Sequence, residues 1–177
     1  MRLSCAIFKQ GAVMKKSEIE DFARQTLKDH NMYSIPVDPV VLANKIGVRV
    51  SNAVFSDPTL AGMVAKRGDQ SSILVKDDDA LNRKRFTVAH ELGHMLLHLQ
   101  IDDGEFIDNI DHLRTSGLNG NNSPEAEANQ FAAALLMDSE LVKQCWPAVQ
   151  SSDSMADIFK VSQEAMEIRL HHLGLVE

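Results

Sequence analysis

One stretch constrains this chain more than any other: Arg85-Phe86-Thr87-Val88-Ala89-His90-Glu91-Leu92-Gly93-His94-Met95-Leu96-Leu97-His98. Phe86, Val88, Leu92, Met95, Leu96 and Leu97 surround a polar stripe with apolar side chains, which predicts a helix buried in a domain core. Residues four apart stand above one another on one helix face, so His90 and His94 can offer two imidazole nitrogens to a single ion. Buried imidazoles need partners, and a metal would supply one. The His-Glu-x-x-His spacing therefore reads as a zinc peptidase site. Zinc lowers the pKa of a bound water to about 7, and Glu91 is placed to take that water's proton. A solvated helix carrying two histidines by chance would show the same spacing, but not the same apolar flanks.

A catalytic zinc usually has three protein ligands and one open position. A third histidine in the metzincin pattern is excluded, because Leu97 and Gln100 occupy the positions that would matter. A carboxylate on a second helix remains, and the stretch from Ser123 to Met137 fits. Ser123 is a good N-cap and Pro124 a good first helical residue. Ala126, Ala128, Ala132, Ala133 and Ala134 keep this helix slim, so it can approach the histidine helix closely. Glu125 and Glu127 point about 200° apart around it, so only one can face the metal. Glu125 has Asn129 one turn below it and Ala132 on its side, and is the chosen ligand. Glu127, beside Gln130, is expected in solvent. The plainer role for either is a first-turn acid favouring the helix dipole.

RFTVAHELGHMLLH, followed by ExEANxFAAALLM, resembles the ImmA/IrrE family of bacterial and phage metallo-endopeptidases. The match runs from about Asn82 to Met137, with weaker similarity from Ile19 to the C-terminus. The resemblance implies a gluzincin-like Zn2+ site with His90, His94 and Glu125 as ligands and Glu91 as catalytic base, the third ligand opening an ExxxN turn to Asn129. Where family members follow LLM with proline, this chain has Asp138, a departure that bears on how the helix continues and not on the metal site. The resemblance also implies a protein substrate, a helix-turn-helix transcriptional repressor of a phage, mobile element, stress response or toxin–antitoxin pair. Composition does not carry that inference, and fold-level analogy does not fix a substrate.

At 177 residues and 44% hydrophobic composition, the chain is expected to form a single α+β zincin-like domain. A small antiparallel or mixed sheet should pack on helices that include the His90/His94 helix. No apolar run approaches the ~20 residues of a spanning helix, and Met1 to Val13 lacks the features of a secretion signal, so a cytoplasmic protein is expected. Cys5 and Cys145 lie far apart and form no ligand spacing. A net charge of −7 argues against a phosphate-binding surface and could suit a basic substrate.

Ser17, with Glu20 three residues on, is expected to cap a first helix, leaving residues 1–16 as a loosely ordered extension to a domain spanning 17–177; Met14 could be the true start. A second helix begins at Val37-Asp38-Pro39 and ends near Gly47. Strands are expected at Val48–Asn52, Leu60–Ala65 and Ser72–Lys76, with a hairpin turn at Arg67-Gly68-Asp69-Gln70. Ser72–Val75 is the candidate for a substrate-pairing sheet edge, although a buried central strand has the same composition. Ile101 to Asn122, rich in Asp, Asn and Gly, is expected to be a mobile loop and a candidate lid. His98 lies about 12 Å along the helix from His90, too far to be a ligand. His112, Tyr33 and Arg83 are candidates for stabilising the oxyanion. Residues 155–172 resemble a helix-turn-helix with its turn and cap at Val161-Ser162, but Glu164 and Glu167 stand against Arg169 alone where a recognition helix should be basic. Two readings thus stand beside the peptidase: a metal-binding regulator that captures a repressor without cutting it, and a DNA-binding protein.

Overall fold

The computed structural model describes residues 14–99 and 123–177, and the backbone of 104–109. Its elements are α1 (Lys16–Asp29), α2 (Pro39–Lys45), β1 (Val48–Ala53), β2 (Leu60–Arg67), β3 (Gln70–Lys76), α3 (Leu81–Leu97), β4 (Gly104–Asn109), α4 (Pro124–Leu136), α5 (Ser139–Val149), α6 (Ser152–Phe159) and α7 (Gln163–His172). The architecture is α+β, as expected, with a mixed four-stranded sheet in the order β1-β3-β2-β4. β1 runs parallel to β3, while β2 is antiparallel to both β3 and β4.

Local chemistry accounts for most boundaries. Asp38 caps α2 by accepting from the Val40 and Val41 amides, with Pro39 at the first helical position. The β2–β3 hairpin pairs Arg67 with Gln70 across a turn in which Gly68 sits at φ +56°, a region glycine enters freely. Ser123 caps α4 and Asp138 caps α5, each accepting backbone amides with its side chain. In the sheet, Val48, Val64, Ile73 and Val75 are buried, and α3 packs on β2 and β3. Helix α4 packs on α3 and α1 packs on α4, so one buried cluster runs from Ile19 to Leu170.

Four expectations need correction. Helix α1 starts at Lys16 with Lys15 as its cap residue, because Glu18 reaches back to the Lys15 amide at 2.8 Å; Ser17 lies inside the first turn. Glu20 closes no capping box and instead receives the Arg169 guanidinium at 2.6 and 2.9 Å. Strand β3, which carries Ser72–Val75, is flanked by β1 and β2 and is not an edge; its alternation of buried and half-buried residues is that of a strand covered on one face. Within the span expected to be a loop, residues 104–109 pair with β2 as β4 and form an edge of the sheet. The rest of that span, and residues 1–13 of the N-terminal extension, lie outside the described residues. Met14 is described, and its side chain packs against the core. Among the described residues no helix is long and apolar enough to cross a membrane.

Candidate metal centre

Helix α3 is fixed from both ends of the chain. Near its start, Asn82 donates to the Val161 carbonyl at 2.9 Å, and Arg85 donates to the carbonyls of Lys160 at 2.9 Å and Val37 at 2.6 Å. Its middle, Thr87 to Met95, is buried. Two glycines set how closely its neighbours approach. A Cβ on Gly93 would lie 3.0 Å from Ala128 Cα and 3.1 Å from Ala128 O, so α4 crosses α3 backbone against backbone. A Cβ on Gly62 would collide with Thr87 and stand 2.6 Å from Glu91 Oε1, so β2 runs directly over the Glu91 carboxylate.

This close packing brings three donor atoms together. His90 Nε2 and His94 Nε2 are 2.9 Å apart, and Glu125 Oε2 stands 3.5 Å from the first and 3.4 Å from the second. A tetrahedral zinc with Zn–N and Zn–O distances near 2.0–2.1 Å holds its ligand atoms about 3.4 Å apart, so the two distances to Glu125 match and the nitrogens need to part only slightly. Among the described residues this is the one His/Cys/Asp/Glu group with metal-ligand spacing. The His90 Nδ1–H donates to Asn129 Oδ1 at 2.8 Å, which leaves the lone pair on Nε2, facing the other donors. Burial pushes the Glu125 carboxyl up, but the two imidazoles beside it hold it well below the usual carboxylate range. It is therefore an anion at neutral pH. His90, Glu91 and His94 are fully buried while the Glu125 side chain is 28% exposed, so the cluster opens toward solvent on the α4 side.

Other sequence candidates fall differently. His98 sits at the end of α3, its Nε2 donating to the Pro124 carbonyl at 3.3 Å; burial and the neighbouring His94 push its pKa down to about 4, which keeps it neutral. Glu127 is not in solvent: it is 8% exposed and accepts from the Met14 amide at 2.7 Å. Its partner is 113 residues away in sequence, which is why local spacing missed it. The Tyr33 hydroxyl donates to Asp138 at 2.9 Å, in a network with Arg24 that ties α1 to the cap of α5, so Tyr33 is committed elsewhere. Arg83 lies on the His90 face of α3, about 10.5 Å along its axis. His112 lies outside the described residues. Gly62 and Gly93 are close-approach positions beside the cluster that sequence reading missed; the available signal was a glycine inside a strand and another inside a helix, where each implies close backbone packing.

The helix-turn-helix-like pair α6–α7 is present, with Lys160 in the left-handed conformation and Ser162 capping α7. Its single arginine is spent inside the molecule. Arg169 is 4% exposed, pairs with Glu20 through both terminal nitrogens, and donates from Nε to the Met137 carbonyl at 2.9 Å. That leaves Glu164 and Glu167 on the exposed surface of α7, the wrong charge for a phosphate backbone.

Comparison with known proteins places the chain in a family. The model of the peptidase family M78, described as the IrrE N-terminal-like domain, matches residues 43–171. The chain belongs to the ImmA/IrrE family. That stretch contains all of α3 and α4, and with them every donor atom of the cluster. Among curated relatives, this ImmA/IrrE chain is 24% identical over 103 residues to metallopeptidase ImmA of Bacillus subtilis (strain 168), the alignment covering 57% of each protein. Among solved structures, a Mycobacterium tuberculosis transcriptional regulator has the same fold, with a TM-score of 0.59 and 14% identity over 87% of this chain. The match takes in 46% of the regulator's length.

Proposed function

We propose that this chain is a zinc-dependent endopeptidase of the ImmA/IrrE type, acting in the cytoplasm on a partner protein, and that the substrate is a helix-turn-helix transcriptional repressor. The observation that carries the reading is the convergence of His90 Nε2, His94 Nε2 and Glu125 Oε2, with Glu91 buried one residue from His90. Family membership supports a divalent metal and a protein substrate. The donor set of two imidazoles and one carboxylate suits zinc, and it leaves one tetrahedral position open.

When bound, zinc would supply a Lewis acid for the scissile carbonyl and would acidify a water at the open position. The protein's own groups do the rest. Asn129 holds the His90 ring in the tautomer that presents Nε2, and the Gly93–Ala128 contact sets the distance from α3 to Glu125. Glu91, wedged between α3 and the Gly62 backbone, has little rotational freedom; it takes a proton from the attacking water and later passes it to the leaving amine. Among the described residues strand β4 pairs with β2 alone, so its outer side is where an extended substrate segment would add as a further strand.

Metal analysis with a cleavage assay tests this. Protein purified without added metal should hold about one zinc per chain, lost with Glu125→Ala and kept with Glu127→Ala and Glu91→Gln. Glu91→Gln should abolish cleavage of a repressor encoded beside the gene. Regulation that survives Glu91→Gln would replace the peptidase by a regulator that captures its partner without cutting it.

A further inference from the structure

The Glu127 carboxylate is buried, and among the described residues no lysine or arginine stands at ion-pair distance from it. One oxygen accepts from the Met14 backbone nitrogen at 2.7 Å. Among the described residues the one basic side chain at ion-pair distance is His98, 3.8 Å from the other oxygen. A buried carboxylate served by an amide and a distant imidazole is poorly compensated, because removing a charge from water is costly unless an opposite charge or several donors replace the solvent. The nitrogen that donates to Glu127 belongs to a methionine, the residue with which translation begins. If the chain starts there, that nitrogen is an ammonium with three donors and a positive charge, lying where Glu127 lacks both.

We propose that Glu127 is a seat for a free α-ammonium on Met14, and that the working protein begins at this residue by initiation at its codon. The seat is joined to the first turn of α4: His98 donates to the Pro124 carbonyl and faces Glu127, so an ammonium on Glu127 braces the segment that carries Glu125. Among the described residues every buried core residue lies at or after Ile19, and the Met14 side chain already packs on that core, so a chain starting at Met14 keeps all of the described fold. This inference concerns the N-terminus and stands whether or not the site cleaves peptides.

The test compares the full 177-residue chain with one beginning at Met14, deformylated and verified by intact mass, each with and without Glu127→Gln. Thermal melting and the rate of α-amine acylation at neutral pH are the two readouts. The Met14-initiated protein should melt higher than the full chain by about 3 °C or more, and Glu127→Gln should remove that difference. Its α-amine should acylate about tenfold more slowly than the same amine in the Glu127→Gln protein, since an ion-paired ammonium gives up its proton less readily. The Gln side chain can still accept from the residue 14 nitrogen, so the variant keeps its fold. Equal acylation rates, or a full chain that melts as high as the shorter one, would overturn the proposal.

Discussion

Helices α3–α4 and α6–α7 were both singled out by short sequence patterns, and they use their polar residues in opposite ways. In α3–α4 the polar groups His90, His94 and Glu125 turn their donor atoms on one another, with the glycine and alanine contact between the helices drawing them close. In α6–α7 the arginine that would have faced a ligand is consumed by the fold, clamped between Glu20 and the Met137 carbonyl. The difference teaches that a motif predicts chemistry when its spacing alone places the reacting atoms. The histidine spacing does that on any helix. A helix-turn-helix outline does not, because its function depends on which side chains are left outside.

Four experiments bear on this contrast. The largest effect is expected from Glu91→Gln, which should lower cleavage by about a hundredfold to ten-thousandfold while zinc content and melting temperature hold; loss of zinc as well would mean that Glu91 binds metal. Arg169→Ala should destabilise the protein by about 3–5 kcal/mol, since it leaves Glu20 without its buried partner. Urea unfolding measures this, and a change below about 1 kcal/mol would return Arg169 to the pool of surface charges. Asn129→Ala should weaken zinc affinity by about 10–100-fold, read by competition with a chelator, because the His90 ring loses the partner that selects its tautomer. Glu167→Gln should change stability by no more than about 0.5 kcal/mol and confer no salt-sensitive DNA binding in a mobility-shift titration. A shift that weakens steeply with salt would show that α6–α7 does meet nucleic acid.

Much of the fold was legible from local rules. The caps at Asp38, Ser123 and Ser162, the hairpin around Gly68 and the buried α3 follow from short-range chemistry. What stayed hidden depended on distant partners. Strand β3 reads the same whether it is central or at an edge, since its neighbours are set by chain crossing and not by composition. Strand β4 lies in a stretch whose Asp, Asn and Gly content argues against a strand. At the candidate site, the 200° separation of Glu125 from Glu127 was correct as geometry, but the conclusion that Glu127 meets water failed because Met14 covers it. Gly93 sits inside the histidine motif, and its missing side chain is what admits α4.

The clasp between Arg169 and Glu20 joins residues 149 apart, so this tie on the first helix closes only after α7 exists. On the ribosome, all four residues of the candidate site emerge well before the clasp can close. A growing chain therefore carries its candidate metal ligands in a body whose α1 and α7 are not yet clasped together. Synthesis of α7 closes the clasp, which ties the final rigidity of the body around the site to the arrival of α7.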